Sequence, residues 1–447
     1  MLGWVNFHTQ MTTKKTIKIG VLGLGNVGSG VIQILDENRE LIRRRTGKNI
    51  EVKTVVVRDP SKARTVAVAG ISVTTDAAAM IADPEIQVIV EVMGGEYPAY
   101  DYICDALRRG KYVVTANKEV ISKHKKTFFE LAKSHRSDIY FEAAVGGGIP
   151  LIRTLKVGLA ANRIEALFGI VNGTTNYILT KVAEDGKEFE TVLKDAQDLG
   201  FAEADPTMDV SGLDTAYKLS ILAAVAFKAD VPVANITYEG IESISLKDMM
   251  VARELGYTVR LLAVGRMLSG NRLSLKVHPT MVPLNHPLAG VRNEFNAVFI
   301  VGNAVGESLL SGRGAGSSPT GSAIVSDLID IAFDETHNVS ARNLEYEFEP
   351  VNLVPISATS SQFYLRLLAA DTPGTLAKIA TIFGHGGISI SKIMQKDRVN
   401  GAAEIVIVTQ AVVEQKMTNA LAALRNEAVV KEILAKIRVG LDAEDDL

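Results

Sequence analysis

Thr16-Ile17-Lys18-Ile19-Gly20-Val21-Leu22 runs directly into Gly23-Leu24-Gly25-Asn26-Val27-Gly28, and Val27, Val31, Ile32 and Leu35 then recur at helical spacing. The first stretch is β-branched and apolar, as a strand buried on both faces is. A G-x-G-x-x-G pattern between such a strand and a helix has a physical reading. Gly23 permits the tight turn, Gly25 lets the backbone approach a pyrophosphate, and Gly28 lets helix and strand pack closely. The helix N-terminus with Asn26 and Val27 attracts the anion. Alone the pattern is also that of a glycine-rich turn, so the decision rests on its surroundings.

Those surroundings alternate. Strands are expected at Val52–Val57, Val88–Val92, Tyr112–Thr115 and Ile139–Phe141, with helices at Asp76–Ile81, Tyr100–Arg109 and Lys125–Ser134. Strand–helix alternation predicts a parallel sheet with right-handed crossovers. The expected class is α/β, with a Rossmann-type nucleotide-binding domain over 16–145, completed by 312–340. From Gly146 helices Ala183–Leu199 and Leu213–Phe227 mix with strands Leu261–Met267 and Arg272–Val277, an α+β substrate domain over 146–311. The glycine-rich Ser311–Gly321 precedes an apolar helix, Ala323–Ile331. A polar linker is expected over 341–361. Residues 362–441 read as a self-contained βαββαβ block: strands Phe363–Ala369, Ile388–Gln395, Ala403–Val408 and Val429–Val439, helices Leu376–Phe383 and Lys416–Leu424. Residues 1–15 read as a flexible extension and the acidic tail from Asp442 as fraying.

Composition agrees. At about 150 residues per domain, 447 residues make roughly three. The 48 Lys+Arg against 51 Asp+Glu give a formal charge of −3, which argues against a nucleic-acid partner. The runs Arg43–Arg45 and Lys123–Lys126 read as solvated helix faces. Cys104 is the single cysteine, so no intrachain disulfide forms, as expected in a reducing, cytoplasmic setting. The 7 histidines have no metal-ligand spacing. No apolar run approaches the roughly 18 residues of a membrane span, and Met1 to Thr12 are read as lacking the cationic start and apolar core of a signal peptide.

Four further stretches carry chemistry. Arg58-Asp59 ends the second strand, where an acid suits the ribose hydroxyls of NAD and an arginine suits the extra phosphate of NADP; the order favours NADP, with NAD open and a plain surface pair the alternative. Val114-Thr115-Ala116-Asn117-Lys118-Glu119 leaves a strand at its C-terminal end, so Lys118 either meets a phosphate or carbonyl or is a solvated lysine opening a helix. The stretch from Gly200 through Glu203, Asp205, Asp209, Asp214 and Lys218 packs four carboxylates before and into an apolar helix. Asp214 and Lys218 share one helical face. Solvated, they are a minor salt bridge; buried, the lysine becomes a tuned proton donor and the spare acids hold a substrate ammonium. Glu142 precedes Val145-Gly146-Gly147-Gly148-Ile149. If this run is extended, the carbonyls of Val145, Gly147 and Ile149 join Glu142 around a hard, monovalent cation; otherwise it is a glycine hinge.

The ordered set GLGNVG, VVTANKE, FEAAVGGGIP, VNGTTNYIL, the loop and helix ending in Asp214–Lys218, and GRGAGSSPT resembles homoserine dehydrogenase over about Thr16–Asp334. Asp371-Thr372-Pro373-Gly374 with Ile388-Ser389-Ile390 resembles an ACT regulatory domain. The resemblance implies NAD(P)H-dependent reduction of L-aspartate semialdehyde to L-homoserine in threonine, methionine and isoleucine biosynthesis. It implies Lys218 as proton donor, Lys118 in catalysis and cofactor contact, and Glu203, Asp209 and Asp214 as the ammonium holders. It implies Gly23, Gly25, Asn26, Val27, Gly28, Thr115, Gly200, Gly314 and Gly316 along the cofactor, with Arg58 added from its place at the strand end, and sodium at Glu142, Val145, Gly147 and Ile149. It further implies dimerisation through the 146–311 domain, a homodimer or homotetramer, and an amino-acid effector, L-threonine, at Gly386, Gly387 and Ile388. Removal from about Ser361 should leave catalysis but abolish threonine inhibition, unless the block serves only for oligomerisation. Two other readings stand beside this one, a non-catalytic NADP- and amino-acid-binding regulator and a different amino-acid dehydrogenase.

Overall fold

The structure, a computed structural model, describes residues 15–62, 64, 66–337, 347–399 and 401–441. The expected N-terminal extension, apart from Lys15, the start of the expected linker (341–346) and the acidic tail lie outside these residues. The chain divides into two compact units, residues 1–148 with 316–346, and residues 149–315 with 347–447.

The first unit holds six strands: β1 (Thr16–Leu22), β2 (Asn49–Val56), β3 (Ser72–Thr74), β4 (Val88–Glu91), β5 (Tyr112–Thr115) and β6 (Ile139–Tyr140). They pair in parallel in the order β3-β2-β1-β4-β5-β6. Order therefore reverses between β1 and β4, and the crevice beyond their C-terminal ends is where doubly wound sheets take ligands. Ile17, Ile19, Val21, Val55, Val88 and Val90 fill the sheet's centre, packed by Val31 and Leu35 from the helix Asn26–Glu37 and by Ile324, Leu328 and Ile331 from the helix Ser317–His337.

Three local findings depart from the sequence reading here. A separate helix, Arg39–Thr46, closed by left-handed Gly47, lengthens the path from the glycine turn to Arg58. The helix expected from Lys125 begins at Lys118, because the Asn117 side chain caps it by accepting from the Val120 N–H at 3.2 Å. The helix expected from Ala323 begins at Ser317, inside the glycine-rich stretch. Those glycines serve close packing: a Cβ on Gly30 would lie 2.4 Å from the Ser317 carbonyl oxygen, and one on Gly321 would lie 2.9 Å from the Gly30 carbonyl carbon.

The second unit is built on one mixed sheet. Its strands are β7 (Ile164–Ile170), β8 (Thr237–Tyr238), β9 (Tyr257–Leu268), β10 (Arg272–Pro283), β11 (Phe295–Gly302), β12 (Gly306–Arg313), β13 (Asn352–Leu353), β14 (Ser360–Ala370), β15 (Ile390–Val399), β16 (Ala402–Thr409), β17 (Val412–Val413) and β18 (Val430–Val439). The path runs β12-β11-β7-β9-β10-β18-β14-β16-β15, with β8 and β13 on β10 and β17 on β14. β10 outlasts the expected Arg272–Val277 because Ser274, Lys276, His278 and Thr280, polar yet buried, hide its strand character. The expected helix Ala183–Leu199 is two helices, Gly173–Asp185 and Phe189–Asp198, since left-handed Gly186 ends the first.

The last block folds as β14, helix Thr375–His385, β15, β16, helix Glu414–Asn426 and β18, with the short β17 added. It is not a detached module. β18 pairs in parallel with β10 at Thr280↔Arg438 and Met281↔Val439. Arg366 of β14 forms an ion pair with Asp248 of the helix Leu246–Glu254, at 2.7 and 3.0 Å, and the Tyr364 hydroxyl donates to the same carboxylate at 3.1 Å. Asp248 is fully buried. Cutting at Ser361 would strand that charge, so the block is joined to the rest of its unit by a buried ion pair.

Gly30→Ala should lower stability by about 1–3 kcal/mol through forced displacement of the Ser317 backbone. Urea unfolding followed by circular dichroism measures this, and an unchanged midpoint would show that the contact relaxes freely.

Candidate active site

In the first unit, the three glycines of the turn meet three different surroundings. Gly23 is left-handed (φ 100°), and a Cβ on it would lie 2.9 Å from the Val92 carbonyl oxygen. A Cβ on Gly28 would lie 2.4 Å from the Gly23 carbonyl oxygen. A Cβ on Gly25 would meet nothing within 4 Å. Packing therefore explains the outer two glycines, and the middle one opens onto space. Gly25 is the N-cap of the helix Asn26–Glu37 and supplies no side-chain cap. The first-turn N–H groups of Asn26, Val27 and Gly28 thus face this opening as an anion site does.

Beside the turn stands a residue that the sequence reading missed. Glu91, 0% exposed at the end of β4, accepts from the Thr115 hydroxyl at 2.6 Å and from the Met93 N–H at 2.8 Å. Burial pushes its carboxyl up, against those bonds. Thr115 in turn accepts from the Asn117 N–H at 3.0 Å, so Glu91 fixes the turn that places Lys118 as first residue of its helix. The available signal was a lone acid ending the apolar run Val88-Ile89-Val90. Arg58 is exposed just beyond β2. Asp59 is turned onto Ser61, accepting from its hydroxyl at 2.6 Å and its N–H at 2.9 Å, which holds its carboxyl below the ordinary range.

The Glu142 segment corrects the extended reading. Glu142–Ala144 is a 3-10 turn, and Gly146 and Gly147 are both left-handed (φ 75° and 56°). Carbonyls from Val145 to Ile149 therefore do not alternate as in a strand. Glu142 is buried and its N–H donates to Asp327 at 3.1 Å. Val145 and Gly147 belong with it to the first unit, and Ile149 opens the second.

The second unit gathers the charged cluster. Gly212 (φ 87°) is the N-cap of the helix Leu213–Ala226, with Asp214 in its first turn and Lys218 one turn later. Asp214 is 1% exposed and Lys218 is 12% exposed. The Lys218 ammonium donates to Asp214 Oδ2 at 2.7 Å and to the Val171 carbonyl at 2.6 Å. Asn172, which the sequence reading did not single out, joins the cluster: its Nδ2 donates to Asp214 at 2.8 Å and to Asp209 at 2.7 Å. Its Oδ1 accepts from the Thr175 N–H and hydroxyl, capping the helix Gly173–Asp185. The cap thus orients the amide toward two carboxylates. The sequence signal was a cap residue followed by Thr at the third helical position.

Glu203 is exposed in the loop before Thr207, anchored through its carbonyl by Gln197 at 3.2 Å; the loop is tied to the helix Gly173–Asp185 by Thr174 donating to the Phe201 carbonyl at 2.7 Å. The structure brings together Asp209, Asp214 and Lys218 and leaves the Glu203 side chain on the loop's exposed face. Gly200 is left-handed (φ 75°). Gly314 has no room for a Cβ, which would lie 2.0 Å from Asn296 Nδ2. Gly316 (φ 118°) belongs to the first unit. In the regulatory block, left-handed Gly387 (φ 64°) and buried Ile388 make the turn between the helix Thr375–His385 and β15, with Gly386 capping that helix.

The glycine turn lies in the first unit and the lysine–carboxylate cluster in the second. Residues 23–142 match the family model described as Homoserine dehydrogenase, NAD binding domain, and residues 150–329 match Homoserine dehydrogenase. The chain belongs to the homoserine dehydrogenase family. Residues 363–426 match the ACT domain. The homoserine dehydrogenase of Bacillus subtilis is 41% identical over 95% of this chain and 98% of that protein, and that of Pseudomonas aeruginosa 42% over 95% and 99%. A crystal structure of a homoserine dehydrogenase from Thiobacillus denitrificans has a TM-score of 0.90 at 39% identity, covering 97% of this chain and 99% of that one. A hyperthermophilic archaeal homoserine dehydrogenase in complex with NADPH has a TM-score of 0.60 at 26% identity, covering 72% of this chain and 98% of its own.

Asn172→Ala leaves the Asp209 and Asp214 carboxylates without their shared donor. It should raise KM for the amino-acid substrate about tenfold or more, corresponding to the 1.5–3 kcal/mol of a hydrogen bond to a charged group. Steady-state kinetics decide this; an unchanged KM would remove Asn172 from the site.

Proposed function

We propose that this family member reduces L-aspartate semialdehyde to L-homoserine, reversibly, with NADPH preferred over NADH. The observation that carries the reading is the Lys218–Asp214–Asn172–Asp209 cluster, buried at Asp214 and Asn172, in a chain that also has a complete glycine turn. The activity is that of an NAD(P)-dependent oxidoreductase acting on a CH–OH group, regulated through an ACT domain in amino-acid biosynthesis.

The nicotinamide, when bound, supplies the hydride that the aldehyde carbon receives. The rest falls to the chain. Gly23, Gly25 and Gly28 with the N–H groups of Asn26 and Val27 take the pyrophosphate. Arg58, with Asp59 occupied at Ser61, takes the 2′-phosphate. Asp209 and Asp214, with Glu203 from the loop, hold the substrate ammonium, which fixes the aldehyde for attack. Negative charge grows on the aldehyde oxygen, and Lys218 stabilises it and delivers the proton. By the family resemblance, Gly200, Gly314 and Gly316 match positions near the nicotinamide half, and Lys118 and Thr115 are carried over as cofactor contacts.

Sodium at Glu142, Val145, Gly147 and Ile149 is supported by the family resemblance alone, since the run is not extended. One buried carboxylate with neutral carbonyls suits a monovalent ion better than a divalent one. L-Threonine is the proposed effector, at Gly386, Gly387 and Ile388, and the assembly a homodimer or homotetramer. A non-catalytic regulator would have no use for Lys218, Asp214 and Asp209 held in one cluster, which favours the enzyme.

Lys218→Ala should lose about 10²–10⁴-fold in kcat for NADPH oxidation with aspartate semialdehyde, the usual range for a general acid. Full activity would remove Lys218 from the mechanism. Arg58→Ser should raise KM for NADPH while leaving KM for NADH nearly unchanged. Equal effects on both cofactors would show that Arg58 does not meet the 2′-phosphate.

A further inference from the structure

Arg438 lies in β18, the last strand of the regulatory block, and is 2% exposed. Its guanidinium grips Glu239 with both prongs, Nη1 to Oε2 at 2.8 Å and Nη2 to Oε1 at 2.9 Å. The same group reaches back into its own block, with Nε and Nη2 donating to Glu414, the first residue of the helix Glu414–Asn426, the latter at 3.0 Å. Four bonds from one planar fork fix both carboxylates relative to each other. Burial alone would raise the Glu239 carboxyl, but Arg438, with Lys436 behind it, holds it at about 2. The pair is therefore ionic throughout the neutral range.

Glu239 does not belong to the regulatory block. It follows β8, and its N–H donates to the Val277 carbonyl of β10 at 2.8 Å. From there the contacts are backbone on backbone. A Cβ on Gly240 would lie 2.2 Å from the Val210 carbonyl oxygen and 2.7 Å from Ser211 Cα. The Ile241 N–H donates to the same Val210 carbonyl at 2.9 Å. A Cβ on Gly212 would lie 3.2 Å from the Glu239 carbonyl oxygen. Val210 follows Asp209, and Gly212 caps the helix of Asp214 and Lys218. The link from Glu239 to that turn therefore runs through backbone atoms.

We propose that Arg438 and Glu239 are positioning residues: their bidentate pair sets the segment Glu239–Ile241 and, through it, the Asp209–Gly212 turn, so that the conformation of the regulatory block is read at the substrate carboxylates. The proposal rests on the reading of Asp209 and Asp214 as ammonium holders. It places regulation in substrate affinity rather than in the chemical step.

The test uses the full-length chain and steady-state kinetics at saturating NADPH, with thermal unfolding alongside. Glu239→Gln should raise KM for aspartate semialdehyde about five- to fiftyfold, the range of ordinary intersite coupling, with kcat within about threefold. Asp248→Asn breaks the buried Arg366–Asp248 ion pair, which reaches the regulatory block from a different helix. It should lower the melting temperature comparably with KM within about twofold. Glu414→Gln, which touches only the regulatory arm of Arg438, should raise KM by itself and add nothing in the Glu239→Gln background. Should Glu239→Gln fail to fold, Arg438→Lys, which keeps the charge and loses the fork, takes its place. Equal KM in the wild type and Glu239→Gln, or additive effects of the two glutamate variants, overturns the proposal. Absence of turnover in the wild type overturns the functional reading and the proposal with it, a result distinct from turnover with unmoved KM.

Discussion

A carboxylate removed from water is tolerated only where the chain supplies charge and donors around it. Asp214, 1% exposed, imposes that requirement on the second unit. Lys218 meets the charge from one helical turn away, and Asn172 supplies a donor from the cap of a different helix. The same amide holds Asp209, and the same lysine is tied to the Val171 carbonyl. Two helices and a turn thus converge because one buried charge needs them. An ammonium ligand arriving among these carboxylates finds them already oriented, which limits the ordering it must itself supply.

The parts legible in the sequence were those carried by local pattern. β1 was bounded correctly by its β-branched run, and β5 likewise. Asp214 and Lys218 are four apart on an apolar helix, so their pairing could be read without any knowledge of the fold. What escaped were features decided at a distance. Asn172 matters because residues 37 and 42 positions later fold onto its side chain, a fact no local window contains. Glu91 owes its bonds to a neighbouring strand. The helix at Lys118 begins before its apolar periodicity does, because a cap rather than a hydrophobic face defines its start. For the glycines of Glu142–Ile149 the sequence left an extended run and a hinge open, and two of them adopt left-handed φ values that L side chains rarely adopt. Composition gives the presence of such glycines but not their conformations.

The regulatory block shows the same division. Its βαββαβ order followed from periodicity and turn residues. Its attachment did not, because ion pairs such as Arg366–Asp248 join residues 118 positions apart. Buried pairs of this kind are weak grounds for overall stability but costly to break singly. They make the boundary near Ser361 one of sequence rather than of structure.

The helix Ser317–His337 packs its N-terminal turn against Gly30, although the whole span Ile149–Ala315 lies between them in the chain. During synthesis the nucleotide-binding sheet therefore emerges well before the helix that covers it. At ordinary ribosomal rates of about 5–20 residues per second, the apolar face formed by Val31, Leu35 and the central strands waits many seconds for Ile324, Leu328 and Ile331. The nascent first unit is a half-dressed sheet in that interval, the species that chaperones hold.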